Sequence, residues 1–447
     1  MPTCSVVPLP YTPDPAAWFA LVRHAPGAIL LDSAKPAAER GRFDILSAWP
    51  QTTLRALPEE RGEDFLQRLR DALATLGSAQ LPDGLELPFA GGLIGYLSYD
   101  FGRRLEQLPT LAVDDLHLPD AHLGLYAWAL ISDHQCRTTQ LVLHPSLEPS
   151  ERLRLTSLFR QPGHPLAGPF KLDAAMAPDL SPAQYRQAFE RIQAYIAAGD
   201  CYQVNQTQRF RAPCHGDPWA AYSALRKACP TPFSGFLTLE DGSAILSLSP
   251  ERFIQVKDRH VETRPIKGTR LRDPDPQRDA ANGLELLASL KDRAENLMIV
   301  DLLRNDLGRT CTIGSVRVPE LFQLESYPNV HHMVSAVVGE LAEGKDCLDL
   351  IGGSFPGGSI TGAPKIRSMQ IIDELEPTRR ALYCGSLLYL DVRGQMDSSI
   401  TIRSLLIKDG QVSCWGGGAI VADSQWEDEY AESVFKVNVL LETLEQL

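Results

Sequence analysis

The last quarter of the chain most limits what it can fold into. Three strand-like segments, Cys384–Val392, Ser399–Lys408 and Val412–Val421, follow one another with no helix between them. Short turns separate them: Asp391-Val392-Arg393-Gly394, then Lys408-Asp409-Gly410, which carries an Asp-Gly hairpin signal. Strands joined this closely pair antiparallel, because a parallel crossover needs a dozen or more residues. The pattern predicts an α+β protein rather than βαβ alternation.

Upstream, strand and helix mix. Ala28–Leu31 reads as a short strand ending at Asp32-Ser33. Glu63–Leu76 has helical spacing, with Phe65, Leu66, Leu69 and Leu73 on one face. Phe89–Asp100 is a glycine-punctuated apolar strand, and Leu123–Asp133 with Thr138–His144 form a strand pair. A Pro- and Gly-rich stretch, 161–182, connects residues 1–160 to residues 179–447. Ser181-Pro182 then starts a helix as N-cap and first turn, and Gly199 stops it. Tyr202–Phe210 is a strand, 277–307 a long helical region, and a last helix runs from about Gln425 to Glu445.

The chain of 447 residues is 44% hydrophobic, enough for a large core in two or three domains or one intertwined unit. A net charge of -13 disfavours nucleic acid and anionic membranes as partners. Nine cysteines, an odd number with no CxxC pair, predict free thiols in a reducing cytosol rather than disulfides or zinc. Met1–Pro10 lacks the basic and apolar parts of a signal peptide, and the longest apolar run, Leu123–Ile131, is too short to span a bilayer.

Two polar signatures carry the chemistry. Strands at Ala244–Leu248 and Phe253–Lys257 put Ser249–Phe253 and Arg264–Thr269 at neighbouring loop ends, so Lys267 comes close to Glu251. A lysine beside a carboxylic acid is a nucleophile with a proton donor if burial keeps the amine neutral; in water it is only a surface ion pair. On the last helix Glu429, Glu432 and Lys436 share one sector, facing either water or a cleft. Glu295 offers a carboxylate from the long helical region. One carboxylate from each of two helices, with positions left for water, suits Mg²⁺. Phe355–Lys365 offers backbone N–H groups to an anion, but Ala363 and Pro364 separate Gly362 from Lys365, so it is not a Walker A loop. The glycines of Trp415–Ala419 imply close approach of a backbone or a ligand. Arg403 suits either a substrate carboxylate or an internal ion pair, and His332 either a ligand or a buried carbonyl.

Taken in order, Ser249–Phe253, Pro265–Thr269, Asp301–Arg309, Gly357–Lys365 and the Glu429/Glu432/Lys436 helix resemble the chorismate-utilising enzymes. The likeness is strong over Asp179–Leu447. The first 160 residues look like the N-terminal region of the aminating branches, around Leu31-Asp32-Ser33 and Gly95–Asp100. The implied fold has two facing antiparallel β-sheets with helices packed outside and N- and C-terminal parts intertwined. Lys267 stands where anthranilate-forming members carry Ala and C4-aminating members carry Lys. Gln203 stands where water-adding members carry Lys.

The resemblance therefore implies conversion of chorismate and ammonia to 4-amino-4-deoxychorismate, toward p-aminobenzoate and folate. Formation of anthranilate is the alternative reaction, and a non-catalytic ligand-binding subunit the alternative of another class. By the same resemblance Lys267 attacks C2 of chorismate while Glu251 protonates the leaving C4 hydroxyl. Glu295 and Glu432 hold Mg²⁺. Thr361, His332, Tyr383, Arg403, Gly417, Gly418 and Lys436 line the substrate pocket. No cysteine sits on a glutaminase elbow, since Cys384-Gly385 lacks the preceding glycine, so a separate glutamine amidotransferase subunit is implied. Some relatives bind tryptophan beside a Leu-Glu-Ser motif, where this chain has Leu31-Asp32-Ser33.

Overall fold

Two antiparallel sheets, of thirteen and ten strands, organise the protein. The computed structural model describes residues 1–35, 38, 41–327 and 330–447. The middle of the first sheet runs Phe43–Ser47, Ile29–Asp32, Phe233–Thr238, Ala244–Ser249, Ser404–Lys408, Gln411–Ile420 and Gln203–Gly216. The second runs Ile266–Leu271, Val330–Glu340, His260–Thr263, Arg252–Lys257, Met396–Ile400, Ser386–Asp391, Gly92–Leu97, Ala121–Tyr126 and Thr52–Arg55. Early and late strands meet at one seam in each sheet: Ile29–Asp32 pairs with Phe233–Thr238, and Gly92–Leu97 with Ser386–Asp391. The last pairing is close enough that a Cβ on Gly92 would lie 2.2 Å from the Leu390 carbonyl oxygen. Apolar side chains of both sheets, such as Ile245 and Leu406 of the first and Leu93 and Leu387 of the second, fill one core. A second core, with Trp219, Phe236, Leu246 and Val437, lies under the helices that cover the first sheet.

The chain changes sheet at sharp corners. Ala121–Tyr126 belongs to the second sheet and Trp128–Asp133 to the first. Ala244–Ser249 hands over to Arg252–Lys257, and Met396–Ile400 to Ser404–Lys408. Strands that switch sheets are how two packed sheets make corners. They correct two sequence expectations. Leu123–Asp133 is not one strand but two, parted at Ala127; Ser399–Lys408 is two, parted at 401–403. Every residue of Ala121–Tyr126 and Trp128–Asp133 is buried, so the apolar run continues through the bend and hides it.

The region 277–307 is also two helices, Pro276–Ala288 and Leu290–Gly308. Ser289 parts them, its hydroxyl capping the Asp292 N–H at 3.3 Å. The connecting stretch holds two short strands, Phe170–Leu172 and Ala177–Pro178, both paired with Gln203–Gly216. The helix Pro182–Ala197 begins with the expected Ser181 cap, reciprocated by Gln184 in a capping box. All nine cysteines are free, and among the described residues no helix is long and apolar enough to cross a membrane.

Asp32 and Ser33 are committed to an internal network. The buried Asp32 carboxylate accepts from Arg226 Nε at 2.7 Å and Nη2 at 3.0 Å, and from the Tyr222 hydroxyl at 2.9 Å. Ser33 donates its hydroxyl to Asp44 at 2.7 Å. These side chains tie the early strand to the helix Pro218–Ala228 and present no free acid to a ligand amine. Removing one member of a buried ion pair leaves the other charge unpaired, which costs roughly 3–5 kcal/mol. Arg226→Ala is expected to lower stability by that amount in urea titration; a loss below about 1 kcal/mol contradicts the network's role.

Candidate active site

Lys267 sits on a β-bulge. Ile266 pairs with Val334 and Thr269 with His332, so three steps on one strand face two on the other. The extra residue lies at Lys267-Gly268, where Gly268 takes φ +83°. A bulge with a left-handed glycine turns its neighbour out of the pleat, and here it aims the partly buried lysine at the loop before Thr361. Lys267 Nζ donates to the Ser359 carbonyl at 2.9 Å. The Ser359 hydroxyl donates to Glu251 Oε1 at 2.8 Å. One serine therefore links amine and acid through two of its own atoms.

Glu251 occupies the corner between Ala244–Ser249 and Arg252–Lys257 and is 5% exposed. The Ser249 hydroxyl pins that corner, donating to the Ile400 carbonyl at 2.5 Å and accepting from the Glu251 N–H at 3.2 Å. Burial lowers the Lys267 pKa below the ordinary lysine value; Glu295 and Glu251 oppose the shift, and Lys436 adds to it. Burial raises the Glu251 carboxyl above the usual range against the pull of Lys267 and the Ser359 hydrogen bond. Both groups are driven toward their neutral forms.

Glu295, on Leu290–Gly308, lies within electrostatic reach of side chains on the terminal helix Trp426–Glu445. Burial raises its carboxyl, Lys267 and Lys291 pull it down, and Glu429 and Glu432 push it up, which places the three carboxylates within electrostatic reach of one another. Burial pushes the half-exposed Glu432 up, but Lys436, 2.6 Å from its Oε1, outweighs that and holds it below the ordinary value. Glu429 is buried, with Oε1 accepting from the Ser424 hydroxyl at 2.6 Å and Oε2 lacking a hydrogen-bond partner among the described residues.

The three glycines divide the close approaches between them. A Cβ on Gly416 would lie 2.0 Å from the Ser433 carbonyl oxygen, seating the helix; one on Gly417 would lie 2.5 Å from the Gln206 carbonyl oxygen, seating the neighbouring strand. One on Gly418 would lie 3.0 Å from Glu429 Oε2 and 3.5 Å from Glu432 Oε1, so only that glycine opens onto the carboxylates. Among the described residues no three His, Cys, Asp or Glu side chains already gather into a metal site. Oxygen donors on two helices, one of them an unpartnered buried oxygen, still fit a cation that keeps part of its water shell.

Arg403 and His332 lie within electrostatic reach of each other. Arg403, at φ +49° in the crossover between sheets, has no carboxylate partner among the described residues; its Nη1 meets only Cys229 Sγ, at 4.0 Å. The internal ion pair left open by sequence is therefore not made. His332 is 4% exposed and shares a hydrogen bond with the Thr269 hydroxyl at 2.9 Å. Tyr383 is buried with its ring stacked on Trp415, centroids 6.0 Å apart. Thr361 donates to the Gly357 and Gly358 carbonyls, at 3.0 and 3.3 Å, and so shapes the turn that presents Ser359. Lys436 also donates to the Gly417 carbonyl at 3.0 Å. Lys365 is bound to Asp306 at 2.6 Å and does not face an anion site.

Sequence reasoning missed Ser359, although it lies in the glycine-rich stretch already singled out. It also gave Glu429 no part beside Glu295 and Glu432, within whose electrostatic reach the fold places it. Asn205, whose Nδ2 donates to the Ser359 carbonyl at 3.3 Å, gave no signal beyond being polar in a strand.

The chain belongs to the chorismate binding enzyme family, matched over residues 27–442. It is 48% identical to aminodeoxychorismate synthase component 1 of Salmonella typhimurium, over 99% of this chain and 98% of that protein. It is 46% identical to the protein of the same name from Escherichia coli, over 99% of each. The crystal structure of anthranilate synthase component I from Streptococcus pneumoniae matches with a TM-score of 0.77 at 28% identity, covering 90% of this chain and 92% of that one.

Burial and the nearby Arg403 push His332 down from 6.5 to about 3, so it is neutral in the fold. The unfolded chain takes up this proton first on acidification. The contribution is complete above pH 6.5 and is lost as pH falls from there toward about 3. His332→Gln is expected to flatten the stability–pH slope in that window by up to about 1.4 kcal/mol per pH unit. An unchanged slope contradicts a neutral buried imidazole.

Proposed function

We propose that this chain aminates chorismate at C4, through a covalent intermediate on Lys267, to give 4-amino-4-deoxychorismate. The observation that carries the reading is the Lys267–Ser359–Glu251 link, with both end groups driven toward neutrality. A neutral amine attacks; a protonated carboxyl donates; bringing the two pKa values toward each other raises the fraction that holds both forms at once.

In the first step the Lys267 amine forms a bond to ring carbon C2. The ring double bonds shift, the C4–O bond breaks, and the Glu251 proton leaves with the hydroxyl as water. In the second step ammonia bonds to C4, the double bonds shift back, and the C2–N bond breaks, releasing Lys267. The proton shed by the ammonia nitrogen returns to Glu251. The sum is chorismate plus ammonia giving aminodeoxychorismate plus water, with the enolpyruvyl ether intact. Hydroxide leaves poorly without an acid, and two displacements need a covalent amine between them.

Glu295 and Glu432, with Glu429 beside them, would hold Mg²⁺, which anchors a carboxylate and withdraws electrons from the ring. Arg403 takes the second carboxylate in a fork and the neutral His332 and Tyr383 flank it. Lys436 restrains Glu432. Ammonia comes from a glutamine amidotransferase subunit: the matched relatives are named as component 1, and burial pushes the Cys384 thiol up to about 12, unlike a glutaminase nucleophile.

The test is product identity. Chorismate, Mg²⁺ and ammonium with this protein should yield the 4-amino product, and Lys267→Ala should lower its formation at least about 100-fold. Fluorescent anthranilate with pyruvate from the unaltered protein, or full activity in Lys267→Ala, overturns the reading.

A further inference from the structure

We infer that a clamp built around Phe322 fixes Glu295, which makes Phe322, Ser335 and Asn296 positioning residues for the carboxylate on the metal side. The inference rests on the proposed role of Glu295 and adds residues with no charge and no place in the reaction scheme.

Among the described residues the strand Arg317–Ser326 pairs only with Val330–Glu340, and its register slips. Glu320 faces Ala336 and Gln323 faces Val334, again three steps against two. The slip leaves Phe322 at φ +58°. An aromatic residue in the left-handed region costs on the order of 1–2 kcal/mol, so something nearby must hold it there.

Two contacts do, and both reach the same helix. The Phe322 N–H donates to the Ser335 hydroxyl at 3.1 Å, replacing a ladder bond to a carbonyl. That hydroxyl donates in turn to Asn296 Oδ1 at 2.6 Å. The Phe322 ring lies under the Arg293 guanidinium, 4.9 Å from ring centre to the central carbon. Arg293 and Asn296 flank Glu295 in sequence, so one strained residue grips the helix on either side of the carboxylate.

The same strand position reaches the lysine. The Ser335 N–H donates to the Pro265 carbonyl at 3.3 Å, and Val334 pairs with Ile266. Ser335 thus touches the strand that carries Lys267 and the helix that carries Glu295, and it sets one against the other. Ser335 and Asn296 are both fully buried, and Asn296 Nδ2 has no hydrogen-bond partner among the described residues. A leucine would fill that space without an unpaired donor, so packing alone does not account for the amide.

The experiment reads metal binding without turnover. Mn²⁺, which has an electron paramagnetic resonance signal when free, is titrated into the full-length protein with chorismate present and ammonia absent. Phe322→Gly suits the backbone angle and keeps the fold, Ser335→Ala removes the shared hydroxyl, and Asn296→Leu removes the acceptor. Each is expected to weaken Mn²⁺ binding roughly ten-fold or more, as loss of a residue behind a ligand does. Glu295→Gln separates the two ideas. If it binds Mn²⁺ like the unaltered protein, Glu295 is no ligand and the functional reading fails. If it loses binding while the three clamp variants, folded by circular dichroism, bind normally, the clamp is overturned. Should Ser335→Ala unfold, Phe322→Gly alone decides.

Discussion

The site depends on the desolvation of one amine. Taking the Lys267 ammonium out of water disfavours its charge, and three carboxylates within reach try to restore it. Burial prevails, with help from Lys436. The same burial keeps Glu251 protonated beyond the ordinary carboxyl range. If the two met directly, proton transfer would make an inert ion pair. Ser359 stands between them, accepting from the lysine with its carbonyl and donating to the acid with its hydroxyl. It holds both side chains in place without joining them.

The two-sheet architecture supplies these groups at its irregularities. Glu251 and Arg403 both lie where the chain leaves one sheet for the other, and the two crossings are bonded together: the Ile400 N–H donates to the Glu251 carbonyl at 3.0 Å. Lys267 lies on a bulge of the second sheet. Glu295, Glu429 and Glu432 come from helices instead, and Gly416 and Gly418 let the terminal helix settle close enough to bring its two carboxylates in. Regular strands carry the load of the fold, and reactive side chains occupy corners, bulges and helix faces where direction can be set one residue at a time.

How much of this the sequence disclosed follows from which features are local. The hairpins ending at Gly394 and Gly410 were readable because the turn residues lie within the turn. The Ser181 and Gly199 ends of a helix were readable for the same reason. The nearness of Lys267 to Glu251 was legible because only a hairpin, Arg252–Lys257 with His260–Thr263, separates them. The corner at Ala127 was not, since strands buried on both faces show apolar sequence through the bend; the corner at 401–403 was not, since Thr401, Ile402 and Arg403 include no Gly or Pro to mark it. The meeting of Glu295 with Glu429 and Glu432 depends on two helices far apart in the chain, which spacing does not encode. Ser359 escaped notice because its role uses a backbone carbonyl as much as a side chain, and any residue type has that carbonyl.

The central claim is that the Lys267 amine becomes bonded to the substrate. Intact-protein mass spectrometry after mixing with chorismate and Mg²⁺, with ammonia withheld, asks this directly. The account predicts a mass gain of chorismate less one water, mapped by proteolysis to the peptide carrying Lys267 and discharged on adding ammonium. An unmodified protein under conditions where ammonium supports turnover, or an adduct on another residue, would contradict it.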